Sequence, residues 1–473
     1  MGGEAARARV REAGGPELLE RLDHLDRHRQ EPPVRADPPA KPARGADTDF
    51  DVAIVGGGLW SMLAPVLAAR GVGVAVFDRA RVGAAHREWN ASGPELHALV
   101  EAGVVSEDEL AELIVARYDH GICRFHGGAS YPVVGVLDHA VEAGPLLARA
   151  RALAAKRGVC IFDGYALDAH ASGPTGVELR FRTSAGATQH VTAKLMVDAR
   201  GTTSPYATAD LVCPTVGGVL QGLAEGDGPA EMSPRVGEIL ATVDPIERGR
   251  QHVWEAFPGR SGETTVYLFY YARAGERTSL AELFARFFAT LPGYKRGDAK
   301  LLRPTFGFIP GWSRLTPAPR PPDGRVVLVG DAAARHSPLT YCGFGATLRS
   351  IVPAADAIAR ALDDPRVDLR TVVHDAPVHA LTGALAHLMA ARQFQGDEVN
   401  ALLDAAFCTL HEMGNEPYAR LLRDEMRPAA FVDFLRRTAR RHPAVWGKIV
   451  RGLGLSVVGR WSFGLARSMI ASG

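Results

Sequence analysis

The feature that most constrains the fold of this chain is a glycine-rich turn that directly follows an apolar segment. Residues 52–61 have the sequence V-A-I-V-G-G-G-L-W-S, which predicts a strand, a tight turn and a helix. Gly56 permits the turn, Gly58 lets the backbone approach a pyrophosphate, and the helix N-terminus offers N–H groups to that anion. Ser61 replaces the usual third glycine and is still small enough for close packing of the helix on the strand.

An acidic residue at the expected distance strengthens the interpretation of this turn as a nucleotide site. A second apolar segment over 73–78 ends in Asp78, 20 residues beyond Gly58. At that position a carboxylate accepts hydrogen bonds from ribose hydroxyls. Strand, turn, helix and acid together predict dinucleotide binding. The alternative is an ordinary packing turn of a βαβ unit, which requires the position of Asp78 to be a coincidence.

Two later segments favour FAD over NAD. Residues 194–206 form an apolar stretch that ends in Asp198, and residues 325–347 form another that ends in Gly330 and Asp331, followed by Pro338 and the run Gly343-Phe344-Gly345. The second segment resembles the FAD fingerprint of aromatic hydroxylases. In that group the Asp binds the flavin ribityl chain and a helix N-terminus faces the pyrimidine end of the isoalloxazine ring. A helix N-terminus also stabilises negative charge on a reduced flavin.

Composition is that of a folded protein without a broad nucleic-acid surface. The chain has 473 residues, 54 basic and 53 acidic side chains, 47% hydrophobic residues and 23% charged residues. Five scattered cysteines with no C-x-x-C pair argue against a disulfide framework or a zinc site, and we expect no metal. We expect a cytoplasmic protein without a membrane span, because no run of 18 apolar residues occurs.

The predicted fold class is α/β: a Rossmann-like FAD domain of the hydroxylase and reductase type, an antiparallel substrate sheet and a helical C-terminus. Helical periodicity is predicted over 94–118, 137–157 and 344–362, with one further helix near 278–291. The expected divisions are a flexible segment and linker (1–48), the FAD domain in two parts (49–211 and 319–365), the substrate sheet (212–318) and the helical region (366–473).

Several short motifs resemble the bacterial lycopene cyclase family over about residues 50–362. They are R-E-W-N (87–90), W-E-A-F-P (254–258), F-G-F-I-P (306–310) and S-P-L-T-Y-C-G-F-G (337–345). Members of that family are FAD proteins related to geranylgeranyl reductases and aromatic-ring hydroxylases. The chain departs from the family pattern at Ala91, Ala333 and Cys342, and the last two changes lie beside the expected flavin, which leaves the exact substrate and reaction open.

The resemblance implies the acid-initiated cyclisation of a polyene or isoprenoid end group. It implies a lipophilic carotenoid-like substrate, reduced FAD that stabilises a carbocation, and NAD(P)H as the electron source. Over the chain as a whole the expected cofactor-binding residues are Gly56, Gly58, Ser61, Asp78, Arg87, Asp198, Gly330, Asp331, Pro338, Gly343, Phe344 and Gly345.

Glu255 is the candidate acid for this cyclisation. It lies between Trp254 and Phe257, and six of the 20 residues from 252 to 271 are aromatic. Such an apolar setting favours the protonated form of a carboxylic acid, and aromatic faces stabilise cations. The alternative is that Glu255 pairs with Arg250 or Arg260 and that the aromatic side chains are core.

Three further residues are weaker site candidates. Glu88 is a second carboxylate. His336, two residues before Pro338 on the expected flavin loop, is either a proton shuttle or a loop-stabilising histidine. Arg87 either contacts the flavin or its phosphates, or forms a surface ion pair with Glu88.

The C-terminal tail combines positive charge with apolar residues at helical spacing. From Arg427 onwards there are nine Lys or Arg and one acid, Asp433. Apolar residues recur at Val445, Trp446, Ile449, Val450 and Leu453, followed by Trp461 and Phe463. This pattern predicts peripheral attachment to the inner face of a membrane. The alternative is a packed terminal helix pair with a solvated basic face.

Two other functions remain open on the sequence alone. One is an FAD-dependent monooxygenase or prenyl reductase that acts on a lipophilic or polyketide-type substrate. The absence of a W-x-W-x-I-P motif argues against a flavin-dependent halogenase. The other is a carotenoid- or flavin-binding protein without turnover.

Overall fold

The computed structural model describes residues 3–29, 48–85, 88–207, 209–247, 249–311, 324–333, 339–340, 343–364, 366–367, 379–390 and 398–471. The strands within these ranges are β1 (Phe50–Val55), β2 (Val74–Asp78), β3 (Glu88–Ala91), β4 (Ile114–Arg117), β5 (His120–Arg124), β6 (Ser130–Val133), β7 (His139–Glu142), β8 (Cys160–Asp163), β9 (Tyr165–Ser172), β10 (Val177–Thr183), β11 (Thr188–Asp198), β12 (Leu211–Leu223), β13 (Val236–Ala241), β14 (Val253–Pro258), β15 (Glu263–Phe269), β16 (Ala272–Arg273), β17 (Gly297–Gly311) and β18 (Val326–Leu328).

The helices within the same ranges are α1 (Gly3–His28), α2 (Leu63–Ala68), α3 (Gly93–Glu101), α4 (Glu107–Leu113), α5 (Ala143–Lys156), α6 (Leu280–Tyr294), α7 (Gly343–Asp363), α8 (His379–Ala390), α9 (Glu398–Glu412), α10 (Asn415–Leu422), α11 (Pro428–Arg441), α12 (Ala444–Leu453) and α13 (Leu455–Ala471). Single 3₁₀ turns lie at Leu59–Met62, Gly201–Thr203 and Gly330–Ala333.

The first sheet is built around parallel strands, as the glycine turn requires. Its order is β8-β2-β1-β11-β10-β9, and β18 adds to β11. The strands β8, β2, β1, β11 and β18 are parallel to one another, so their carboxyl ends share one edge, whereas β10 and β9 continue the sheet antiparallel. The apolar strand residues Val52, Ile54 and Val197 are buried against α2, α5 and α7. The predicted α/β fold class is confirmed.

The second sheet has two apolar faces and forms a roof over one side of the molecule. Its order is β16-β12-β15-β14-β13-β5-β6, with β17 on β12. Alternate residues of β14 divide between the faces: Trp254 and Ala256 pack towards α1 and α6, whereas Val253 and Phe257 pack towards the C-terminal helices. We call these the outer and inner faces of the roof sheet. Strands β5 and β6 join this sheet although they precede residue 212.

A third sheet replaces parts of two predicted helices. Strands β3, β7 and β4 pair antiparallel in that order. The helix expected over 94–118 is two helices, α3 and α4, followed by β4. The helix expected over 137–157 begins only at Ala143, because His139–Glu142 pairs with strands on both sides and Leu137 has a left-handed φ of 49°.

The N-terminal helix packs on the roof sheet and on α6, which differs from the flexible segment expected over 1–48. Asp26 accepts hydrogen bonds from the backbone N–H groups of Leu280 and Ala281, at 2.7 and 3.2 Å, and from the hydroxyl of Ser279 at 2.9 Å. A carboxylate at a helix N-terminus satisfies orphan donors and complements the dipole. Residues 3–28 are ordered by this contact and by burial of Leu22.

The C-terminal region is helical throughout its described part, as predicted. Helices α9, α10 and α11 pack on the inner face of the roof sheet through residues such as Phe407, Tyr418 and Phe431. The side chains of Val445, Trp446 and Leu453 lie outside the part that the structure describes. No helix within the described ranges has both the length and the apolar character needed to cross a bilayer.

Candidate functional site

The glycine turn after β1 presents unpaired backbone donors at the carboxyl edge of the first sheet. Gly56 has φ 122°, and a Cβ there would collide with the carbonyl of Ala199 at the end of β11. No described residue accepts a hydrogen bond from the backbone N–H groups of Gly58, Leu59 or Trp60. Space for a Cβ at Gly58 is open, with no atom within 4 Å. Three free donors beside an open backbone fit a pyrophosphate.

Two of the expected cofactor residues support this turn. The Asp78 carboxylate accepts the N–H of Gly57 at 2.6 Å and of Ala80 at 2.7 Å. A carboxylate has about four acceptor positions, so acceptor capacity remains for ribose hydroxyls. Ser61 is buried, and its N–H donates to the carbonyl of Gly58 at 2.9 Å, which closes the turn rather than exposing a polar group.

Asp198 has all of its acceptor positions occupied by neighbours in the protein. It is fully buried and accepts from the Arg200 backbone N–H at 3.1 Å, the Arg200 guanidinium at 3.0 and 2.7 Å, and the Ser204 hydroxyl at 2.7 Å. Direct contact with a flavin would require one of these bonds to break. Asp198 therefore holds the 201–203 turn, which lies beside Asp331: a Cβ on Gly201 would be 3.8 Å from the Asp331 carboxylate.

The start of α7 is packed against the strand that carries the R-E-W-N motif. Gly330 has a left-handed φ of 57° and begins the 3₁₀ turn Gly330–Ala333, which contains Asp331. Phe344 is buried and stacks on Trp89 with 4.7 Å between ring centroids. The Phe344 ring is thus occupied by packing, and a contact of this residue with a flavin would use its backbone. Gly343 is the first residue of α7, so its amide is one of the orphan donors of that helix.

Gly345 is required by a carboxylate that sequence reasoning did not single out. A Cβ at Gly345 would collide with the carboxyl group of Glu95. Glu95 is buried, caps α3 by accepting from the N–H and hydroxyl of Ser92 at 2.9 and 2.8 Å, and pairs with Arg349 of α7. The S-x-x-E spacing before α3 is the signal that could have found this capping box.

Glu255, unlike the candidate Glu88, has no polar partner among the described residues. It lies on the inner face of the roof sheet, half-buried, and no described residue donates a hydrogen bond to it or forms an ion pair with it. Burial raises the pKa of Glu255 to about 8. The alternative pairing does not occur, because Arg250 pairs with Glu276 and Arg260 pairs with Glu142.

The aromatic surroundings of Glu255 are divided between the two faces. Trp254 points to the outer face and stacks on Tyr294, so it does not surround the Glu255 carboxyl group. Phe257 shares the inner face with Glu255, and Tyr267 lies directly opposite Glu255 on β15.

A row of paired residues runs from Glu255 across the inner face of the roof sheet. Tyr267 is opposite Gly217, which is opposite Thr305 of β17. The Thr305 hydroxyl is buried and has no partner in the described part of the chain, and a Cβ on Gly307 would have no atom within 4 Å. Within the described residues, this part of the inner face therefore has a carboxyl group and a hydroxyl without polar partners, and open space at Gly307.

The R-E-W-N strand contacts β17 of the roof sheet and Tyr118, which lies beside Phe257. Glu88 and Asn90 share one side of β3: Glu88 pairs with Arg303 of β17 at 3.0 Å, and the Asn90 amide donates to the hydroxyl of Tyr118, whose ring is 6.1 Å from that of Phe257. Burial raises the pKa of Glu88, although the Arg303 guanidinium opposes this, and one Glu88 carboxyl oxygen has no partner within the described ranges. Glu88 is therefore an ion-paired carboxylate, unlike Glu255.

An apolar cavity of about 90 Å³ lies among the C-terminal helices. Leu339 is one of its lining residues, and the Leu339 carbonyl accepts the hydroxyl of Tyr271, which lies between β15 and β16, at 3.0 Å. Its lining is almost entirely apolar: Leu339, Thr382, Leu385, Leu388, Leu402, Ala406, Phe407, Leu410, Leu421, Phe431, Phe434, Leu435, Thr438, Ile449, Val458 and Trp461.

Three expected site residues, Arg87, His336 and Pro338, lie outside the described residues.

Comparison with known proteins identifies the fold. No protein-family model matches the sequence, and no curated protein matches it. A geranylgeranyl bacteriochlorophyll reductase-like protein from Thermoplasma acidophilum superposes with a TM-score of 0.60 at 16% identity, over 85% of this chain and 98% of its own. Halogenase PltM gives a TM-score of 0.57 at 14% identity, over 88% of this chain and 96% of its own, and it has been crystallised with phloroglucinol and FAD.

A flavoprotein/dehydrogenase from Cytophaga hutchinsonii gives a TM-score of 0.55 at 14% identity, over 86% of this chain and 98% of its own. At these identities the likeness shows a shared fold, that of the reductase-like and halogenase flavoproteins. It covers nearly the full length of these proteins, including the part that follows the first sheet.

Proposed function

We propose that this chain is an FAD-dependent enzyme in which Glu255 protonates an end group of a lipophilic polyene, as in lycopene cyclisation. The observation that carries the proposal is the state of Glu255: a half-buried carboxyl group without a polar partner, whose pKa is raised to about 8 by burial alone. A carboxylic acid that stays neutral at pH 7 is suited to donate a proton.

FAD binding rests on the residues at the carboxyl edge of the first sheet. Gly58, Leu59 and Trp60 offer unpaired N–H groups to a pyrophosphate, and Asp78 retains acceptor capacity for a ribose. The halogenase of the same fold that has been crystallised with FAD supports this assignment. Bound in reduced form, the flavin supplies negative charge that stabilises a cation, with NAD(P)H as the proposed electron source.

Glu255 and its apolar neighbours on the inner face would carry out a net isomerisation. The carboxyl proton of Glu255 adds to one alkene carbon of the end group, which leaves a carbocation. The π electrons of the neighbouring double bond form the ring C–C bond, and loss of a proton from a ring carbon restores an alkene. The Glu255 carboxylate is the base that can take this proton back. Apolar neighbours such as Phe257 exclude water, which would otherwise trap the cation.

A mass measurement separates this proposal from its redox alternative. The likeness to a reductase-like protein over 98% of its length favours a prenyl reductase or monooxygenase as second candidate. Polyene-accumulating cells that express the chain would be extracted and analysed by mass spectrometry. Cyclisation gives a product of unchanged mass and shifted retention. A mass increase by two hydrogens or one oxygen would replace the cyclase by a reductase or a monooxygenase, and untouched polyene would remove the proposed substrate.

A further inference from the structure

The exposed apolar side chains of this protein are concentrated on one helix. Four large hydrophobic residues are exposed in the described part of the chain, and three of them are on α13: Leu455 (77% exposed), Phe463 (68%) and Met469 (44%). At about 100° per residue these three fall within an arc of about 120° on the outer side of α13. Such clustering marks an interaction surface, whereas single exposed apolar residues do not.

Unneutralised positive charge borders this apolar arc. Arg460 and Arg467 are exposed and follow the arc on one side of α13, at about 120–140° from Leu455 on the same helical wheel. Neither forms an ion pair with a described residue, and the same holds for Arg436, Arg440 and Arg451 on the preceding helices. The tail from Arg427 has nine basic residues and one acid, in a chain of net charge +1. An apolar arc next to unpaired arginines complements an anionic bilayer surface.

A second side of α13, which adjoins Met469 on the same helical wheel, faces the protein. Val458 and Trp461 line the apolar cavity there, together with Ile449 of α12 and Leu339. Helix α13 therefore has an exposed apolar face and, beside it, a second face that lines an apolar cavity. This arrangement suits a protein that takes hydrocarbon chains from a lipid phase.

We propose that α13, with the arginines of α11 and α12, is a docking surface for the face of an anionic lipid bilayer. Leu455, Phe463 and Met469 enter the acyl boundary, and the arginines lie among the lipid phosphates. Delivery of substrate through the cavity rests on the proposed function, but membrane binding itself does not require flavin or substrate.

Vesicle flotation of the full-length protein tests this docking surface directly. Vesicles of phosphatidylglycerol and phosphatidylcholine are compared with vesicles of phosphatidylcholine alone, without flavin or polyene. We expect binding to the anionic vesicles that weakens as salt is raised. The double variant Arg460→Gln/Arg467→Gln should bind roughly 10- to 30-fold more weakly, since each arginine near the surface contributes about fivefold.

A matched pair of variants separates the apolar arc from general surface hydrophobicity. Phe463→Asp should lose most binding, whereas Val134→Asp should bind like the parent protein, because Val134 is 54% exposed but lies on a loop between β6 and β7, away from α13. Equal melting temperatures for the two variants establish that folding is unaffected; if Phe463→Asp unfolds, Phe463→Ser replaces it.

Three results would overturn the proposal. The first is no binding to either vesicle, and the second is binding that Phe463→Asp and Val134→Asp weaken equally. The third is a dimer in light scattering that Phe463→Asp converts to a monomer, without vesicle binding, which would identify the arc as an interface between copies of the chain. Each of these leaves the Glu255 proposal intact, because the mass of the product is measured separately.

Discussion

Two glutamates lie on neighbouring strands of the roof sheet and on its opposite faces. They differ in their polar partners: one is ion-paired and the other has no polar partner among the described residues. Glu238 of β13 is opposite Ala256, the residue after Glu255, and faces outward. It accepts from the Tyr294 hydroxyl at 2.8 Å, from Arg124 at 3.1 Å, and pairs with Lys295. Glu255 faces inward and has no such partner among the described residues.

The difference separates a structural carboxylate from a reactive one. Buried charges are normally paired because an isolated charge in an apolar medium costs several kcal/mol. Glu238 is paired with two cations. Glu255 has no cation, but it stays protonated and therefore uncharged at pH 7, since burial raises its pKa to about 8. A neutral acid beside open apolar space has no structural benefit, so its presence points to chemistry.

The largest expected effect is on turnover. Replacing Glu255 with Gln removes the donated proton and should lower the rate of polyene conversion by roughly 10²- to 10⁴-fold, while the melting temperature stays equal or rises. The measurement is product formation by purified protein alongside a thermal scan. Retention of more than a tenth of the parent rate would show that another group is the acid.

The next effect is on stability, and it concerns the other glutamate. Glu238→Ala leaves the buried Lys295 and the half-buried Arg124 without their carboxylate and should lower the free energy of unfolding by about 3–5 kcal/mol. Denaturant titration measures this loss. The control is Glu416→Gln, which removes an exposed ion pair with Arg420 and should change stability by less than about 1 kcal/mol. If the two variants are equally stable, the contrast between paired and unpaired carboxylates fails.

A smaller loss of stability is expected at Gly345 of α7, which contacts Glu95 of α3. Gly345→Ala would push a methyl group into Glu95, which cannot move away without losing Ser92 and Arg349, and should cost about 1–3 kcal/mol. Flavin affinity should fall with it, because α7 must shift. Gly459→Ala on α13 is the matched control: no atom lies within 4 Å of its Cβ, so it should stabilise by up to about 1 kcal/mol. Equal outcomes would contradict the close contact at Gly345.

The last prediction concerns the dependence of stability on pH. The ordinary pKa of Glu255 is 4.5 and burial raises it to about 8, so from pH 4.5 to 8 the unfolded chain releases this proton before the folded protein does. The contribution of Glu255 to stability is therefore complete below pH 4.5 and falls as the pH rises to 8, by at most about 1.4 kcal/mol per pH unit. Denaturant midpoints of the parent and of Glu255→Gln, compared at pH 6 and at pH 8, measure this. Parallel curves would show that Glu255 titrates normally.

Local patterns in the sequence predict the nucleotide-like half of the molecule well. The turn at Gly56, the strands that flank it and the helix from Gly343 follow from residue types within a few positions of each other. The third sheet was missed because His139–Glu142 has helix-compatible spacing and becomes a strand only through its partners on both sides. The docking of α1 was missed for the same reason, since Asp26 acts on residues more than 250 positions away.

The sequence by itself determined the α/β architecture, the order of its nucleotide-fold segments and the choice of Glu255 as the acid to test, because periodicity and turn chemistry are short-range. Only the tertiary structure decided which carboxylates are hydrogen-bonded or ion-paired to other residues. Asp198 is saturated by Arg200 and Ser204, and the arginines near Glu255 in sequence pair elsewhere. Whether a buried acid is neutral depends on the groups that distant segments bring to it, and no local pattern records them.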